Sequence, residues 1–120
     1  MQNQLVAKMT VANGGTTSNA VLVSRSTIFG LETPAGLTSL TFKFQGARYF
    51  DPEYESAAPW RDIVKEDGTA MSFTFATVGA SKNVGFDTFN NYIAPWPWVR
   101  IVTAGAEGAE RVFYLVAKEH

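Results

Sequence analysis

At 120 residues, 46% apolar and 13% aromatic, the chain can close one core without staples, and large rings can bury much of it. There is no cysteine, which excludes disulfides and thiolate metal sites. Ten basic residues against 11 acidic ones leave a net charge of −1, and the Lys and Arg are dispersed. Nucleic acid is therefore not an expected partner, whereas self-association meets little repulsion. No apolar run approaches the ~18–20 residues that cross a bilayer. Met1-Gln2-Asn3-Gln4 shows no basic segment leading into an apolar one, so the chain is expected to be made in the cytoplasm, with no leader and no membrane partner.

In chain order, Leu5 to Val11 reads as a strand, and the glycine-bearing segment Ala12 to Asn19 as a loop. Ala20 to Val23 and Thr27 to Leu31 read as strands, with a turn at Pro34-Ala35-Gly36. Thr38 to Gln45 gives the clearest signal: Leu40, Phe42 and Phe44 alternate with Thr41, Lys43 and Gln45, and a period of two sends alternate side chains to opposite sheet faces. The pattern dissolves across Gly46 to Asp67, where Asp51 to Trp60 forms a long excursion. Arg61 to Lys65 is either a short edge strand or a helical turn, and Glu66-Asp67-Gly68 is a tight turn. Ala70 to Thr77 and Val84 to Phe86 follow as strands, and Phe89 to Pro97 is irregular and aromatic. Trp98 to Thr103 and Arg111 to Lys118 close the chain, and the Ala/Gly-rich link between them suits an antiparallel hairpin. No segment carries a helical stripe with caps. The expected fold is all-β: a single antiparallel β-sandwich over residues 1–120, jelly-roll-like, with about eight short strands.

Little in this sequence points to catalysis. Asp51, Glu53 and Glu55 fall at every second residue and could present carboxylates to Ca²⁺, but no Asp/Asn-Gly loop motif accompanies them, and a solvated acidic loop is the plainer reading. Asn13-Gly14-Gly15-Thr16-Thr17-Ser18 lacks the lysine and following helix of a phosphate loop. His120 is the single histidine and the last residue, so Ser–His and Cys–His nucleophile pairs have no base. No cofactor, no metal and no enzymatic activity are expected. The aromatic constellation is the site to weigh: Tyr92, Trp96 and Trp98 around two stiffening prolines, with Tyr54 and Trp60 in the excursion. In an extended segment Trp96 and Trp98 would point the same way. Such rings cap a core, anchor a protein interface or stack on sugars.

Several segments together resemble one family. Val23-Ser24-Arg25-Ser26-Thr27-Ile28-Phe29-Gly30-Leu31-Glu32-Thr33-Pro34 is similar to an apolar strand ending in Gly-x-x-x-Pro, and Leu37-Thr38-Ser39-Leu40-Thr41-Phe42-Lys43-Phe44 to the Leu-Thr-Phe strand after it. Trp98-Val99-Arg100-Ile101-Val102-Thr103 and Arg111 to Val116 resemble the closing pair, an aromatic-(Val/Leu)-Arg-(Ile/Leu) strand and, after an Ala/Gly-rich turn, an Arg-x-(Phe/Ile)-x-Leu-Val strand. This layout resembles the small β-sandwich virion proteins of tailed bacteriophages. Gly46-Ala47-Arg48 and the Asp51 to Trp60 insertion stand where that family carries an Asp-Gly turn. The resemblance implies a structural role without chemistry: a capsid decoration (cement) protein on the outer surface of the major capsid protein lattice, made in the host cytoplasm and often a symmetric homo-oligomer such as a trimer. Tyr54, Trp60, Tyr92, Trp96 and Trp98 would then be its contact residues. Similar sandwiches among galactose-binding-like domains keep a carbohydrate-binding module as the alternative, and a head-fibre or tail-associated virion protein would share the fold.

Overall fold

The structure is a computed structural model that describes residues 3–23, 26–47, 60–69, 71–74, 83–85, 93 and 96–119. Nine strands are found among them: β1 (Asn3–Val11), β2 (Val21–Leu22), β3 (Ser26–Glu32), β4 (Thr41–Ala47), β5 (Arg61–Asp62), β6 (Ser72–Thr74), β7 (Asn83–Gly85), β8 (Trp98–Thr103) and β9 (Arg111–Glu119). They form two antiparallel sheets. One has four strands in the order β1-β9-β3-β7. The other has five, ordered β2-β8-β4-β5, with β6 also on β4. From β1 to β4 the chain changes sheet at every step, then turns back along β4, and changes sheet again to β7, to β8 and to β9. That order is a jelly roll.

β5 and β6 are two pieces of one edge strand. Gln45 pairs with Asp62, and Lys43 pairs with Ser72, so both pieces lie along the same side of β4. Between them residues 63–69 and 71 belong to a small hairpin, held by Met71 N–H to Ile63 O (3.2 Å) and Lys65 N–H to Thr69 O (2.8 Å). Its turn is the one expected at Glu66-Asp67-Gly68. Gly68 sits at φ +85°, which is inexpensive only for glycine, and Asp67 Oδ1 accepts from Thr69 N–H (2.9 Å) and Thr69 Oγ1–H (2.6 Å).

Alternation decides the core. On β4 and β8 every second residue is buried: Phe42, Phe44 and Gly46 on one, Val99, Ile101 and Thr103 on the other. Met9 and Val11 of β1 and Phe113, Leu115 and Ala117 of β9 meet them from the opposite sheet. β3 carries Ile28 and Leu31 inward at an odd spacing, and a bulge between Ile28 and Gly30 brings both onto that face. Phe42 is the centre, stacked on Phe73 at 5.1 Å and tilted against Phe113 at 5.2 Å across the sandwich.

Two expectations change. β8 and β9 are not a hairpin: β8 lies between β2 and β4, β9 lies between β1 and β3, and residues 104–110 cross from one sheet to the other. β4 starts at Thr41, not Thr38. The cause of both is Glu107. Its buried carboxylate accepts from Thr38 N–H (Oε1, 2.8 Å), Ser39 N–H (Oε2, 2.9 Å) and Arg111 Nε–H (Oε1, 3.2 Å), which takes the Thr38 and Ser39 amides out of any sheet ladder. Its backbone N–H donates to Gly15 O (3.0 Å), and its carbonyl accepts from Gly14 N–H (2.7 Å). Three crossings, 12–20, 33–40 and 104–110, are thus knotted at one end of the sandwich. Gly14, at φ +81°, makes that turn possible.

Candidate functional site: the outer face of the five-stranded sheet

Residues of β4 and β8 that do not face the core form rows across the outer face of their sheet. The register places Leu22, Trp98 and Ala47 (itself buried) in one row, then Arg100, Gln45 and Asp62, then Val102, Lys43 and Ser72. The middle row is fully wired. Arg100 Nε–H and Nη2–H both donate to Gln45 Oε1 (2.9 and 2.7 Å), Gln45 Nε2–H donates to Asp62 Oδ1 (3.0 Å), and Lys43 Nζ–H donates to Asp62 Oδ2 (2.8 Å). Hydrogen bonds from Lys43 and then Gln45 hold the Asp62 carboxyl below its ordinary range, against a smaller opposing effect of burial. The Arg100 guanidinium lies 4.3 Å from the Trp60 ring centre, a cation–π arrangement that fixes both groups.

Trp60 and Trp98 therefore belong to one face. Leu22 opposes Trp98 across the β2–β8 pair and is 47% exposed. Trp96 does not join them. Trp96 N–H bonds back to Ile93 O (3.1 Å) in a turn, and Ile93 has helical backbone, so the chain is not extended before β8. The Trp96 ring lies over Gly46, on the inward side of the sheet's end, and is 38% exposed. A Cβ on Gly46 would come within 2.8 Å of Trp96 Cγ. Gly46→Ala is expected to destabilise by about 1–3 kcal/mol through this overlap. Urea melts test it: Trp96→Ala in the Gly46→Ala background should recover part of the loss, and a neutral Gly46→Ala would contradict the packing. Tyr54, Tyr92, His120 and the Asp51–Glu55 carboxylates lie outside the described residues.

Beside the wired row, an open groove of about 540 Å³ runs past Thr16, Thr41, Lys43, Ser72, Val102 and Ala104. No cluster of three or more His, Cys, Asp or Glu able to hold a metal occurs among the described residues. The sequence pointed to Trp60 and Trp98 but missed Arg100, Gln45, Lys43, Asp62 and Leu22. The two-residue spacing of Lys43 and Gln45 on β4 and of Trp98 and Arg100 on β8 is visible in the sequence; that these strands are neighbours, with Asp62 of β5 and Leu22 of β2 beside them, is not. Comparison of the chain with known protein families, curated proteins and solved structures gave no match.

Proposed function

We propose that this chain is a structural virion protein of a tailed bacteriophage, a capsid decoration protein that binds the outer surface of the major capsid protein lattice through the outer face of its five-stranded sheet. The observation that carries the reading is the Trp60–Arg100 stack on that face, with Trp98 and the exposed Leu22 beside it. Trp and Arg held rigid at the centre of a face, with polar groups around them, are the side chains that dominate protein interfaces. The jelly-roll layout and the similarity of segments 23–34, 37–44, 98–103 and 111–116 to the decoration type add support. A symmetric shell would multiply a modest single contact into high occupancy.

Co-sedimentation with purified undecorated shells tests this. Trp60→Ala combined with Arg100→Ala is expected to reduce bound copies at a fixed protein concentration by about tenfold or more, with an unchanged circular dichroism spectrum. Equal occupancy of wild type and variant, or no wild-type binding, would remove the assignment. The groove favours one second reading, a carbohydrate-binding module. Its hydroxyls from Thr16, Thr41 and Ser72 and its aliphatic Val102 suit a sugar's mixed polar and apolar surface. Saturable oligosaccharide binding without affinity for shells would select that reading.

A further inference from the structure

β1 is the one long edge among the described residues. The strands at the other sheet edges are β2 and β5 with two residues each and β6 and β7 with three, lengths that leave little to pair with. β1 has nine residues, all paired with β9 on one side. Among the described residues, bonds close its other side over only part of its length. Asn19 does this with its side chain, which imitates a neighbouring strand: Thr10 N–H donates to Asn19 Oδ1 (2.8 Å) and Asn19 Nδ2–H donates to Lys8 O (3.1 Å). Val11 then bridges to Ser18, and Thr17 bridges to Val102 of the other sheet, so the sandwich is sealed at that corner.

These bonds also fix which backbone groups point outward. Lys8 and Thr10 direct theirs away from β9. The β1–β9 register runs without a shift, so by alternation Gln4 and Val6 do the same. Their N–H and C=O groups have no partner among the described residues. The open stretch, Asn3-Gln4-Leu5-Val6-Ala7, carries no charge, and the first charged residue, Lys8, stands where Asn19 closes the edge. Val6 is 53% exposed on the outer face, opposite the half-buried Val116.

We propose that the open half of β1 pairs with the same segment of a second copy of this chain, antiparallel about a two-fold axis at Leu5, so that Gln4 and Val6 of each copy exchange backbone hydrogen bonds and the two four-stranded sheets become one. The second copy is the occupant the chain itself supplies. Its β1 is the only edge of matching length among the described residues, a neutral segment meets its own image without like charges opposed, and the net charge of −1 adds little repulsion. The two-fold closes: each copy uses the one long edge found among its described residues, and no further chain is recruited. The pairing is a property of the isolated chain and stands or falls apart from the capsid reading.

Proline tests it cleanly. The Val6 and Gln4 N–H groups face away from β9, so Val6→Pro and Gln4→Pro each remove an edge donor without removing a β1–β9 bond. In sedimentation equilibrium the wild type is expected to be a dimer, and each proline variant to raise the dissociation constant by about 30-fold or more. Gln4→Pro, at the strand's start, preserves the test if Val6→Pro unfolds. Hydrogen exchange on the wild type should show the Gln4 and Val6 amides slowing about tenfold or more as concentration rises, while Leu5 and Ala7, facing β9, stay slow throughout. A wild type that remains monomeric overturns the proposal, including one whose Gln4 and Val6 amides are protected only when shells are added. So does a dimer that tolerates both prolines.

Discussion

Glu107→Ala is expected to lower the unfolding free energy by about 3–5 kcal/mol, because it strips a buried carboxylate from two main-chain donors and a guanidinium at once. The Thr38 and Ser39 amides and Arg111 Nε–H lose their acceptor, and the knot joining three crossings keeps only its neutral or peripheral bonds, among them Ser39 Oγ with Gly105, Thr38 Oγ1 with Gly108 N–H, and the backbone contacts to Gly14 and Gly15. A thermal midpoint lower by about 10–20 °C is the corresponding readout. A drop of only a degree or two would mean that the loops are held by something else. The same group sets the acid limit. Burial pushes its carboxyl up, but the Ser39 and Thr38 amides and Arg111 pull it further down, and the balance lies below the ordinary 4.5. A carboxyl lowered in the fold stabilises it in full above the unfolded-state value and stops doing so as pH falls through the folded one. Wild-type stability should therefore decline as pH falls below 4.5, and Glu107→Gln, already weakened at neutral pH, should decline less steeply.

Phe42→Ala is expected to cost a similar amount, about 3–5 kcal/mol. The ring is 1% exposed and contacts Phe73 in its own sheet and Phe113 in the opposite one. Its loss opens a void where two layers meet, and neither neighbour can fill it without leaving its own place. Phe42→Leu keeps most of the volume and should cost about 1–1.5 kcal/mol. Denaturant titrations separate the two variants; equal midpoints would show that this contact does not tie the sheets together.

Strand existence was legible from alternation, and for β8 both ends were, because Trp98 to Thr103 is bounded by Pro97 and by the Ala/Gly-rich crossing. What alternation lacks is a sheet address. β8 and β9 show the same period of two and a short link, which describes a hairpin as well as a crossing between layers; long-range bonds separate the cases, those of Glu107 to residues 68 and 69 positions away foremost. The extra residues expected at the start of β4 fail for the same reason. At the candidate site Trp60 and Trp98 were visible as isolated aromatics. The Arg100–Gln45–Asp62–Lys43 chain was not, since it links side chains 55, 17 and 19 residues apart.

The hairpin between β5 and β6 interrupts the edge strand yet leaves the pairing of β4 intact on both sides of it. Its tip, Lys65 to Thr69, is exposed throughout. Lengthening that tip shifts no register and uncovers no core, and its entropic cost grows only with the logarithm of length. The hairpin is thus a natural graft point: a foreign peptide spliced there would be carried at the rim of the sheet, clear of both the β1 edge and the Glu107 knot.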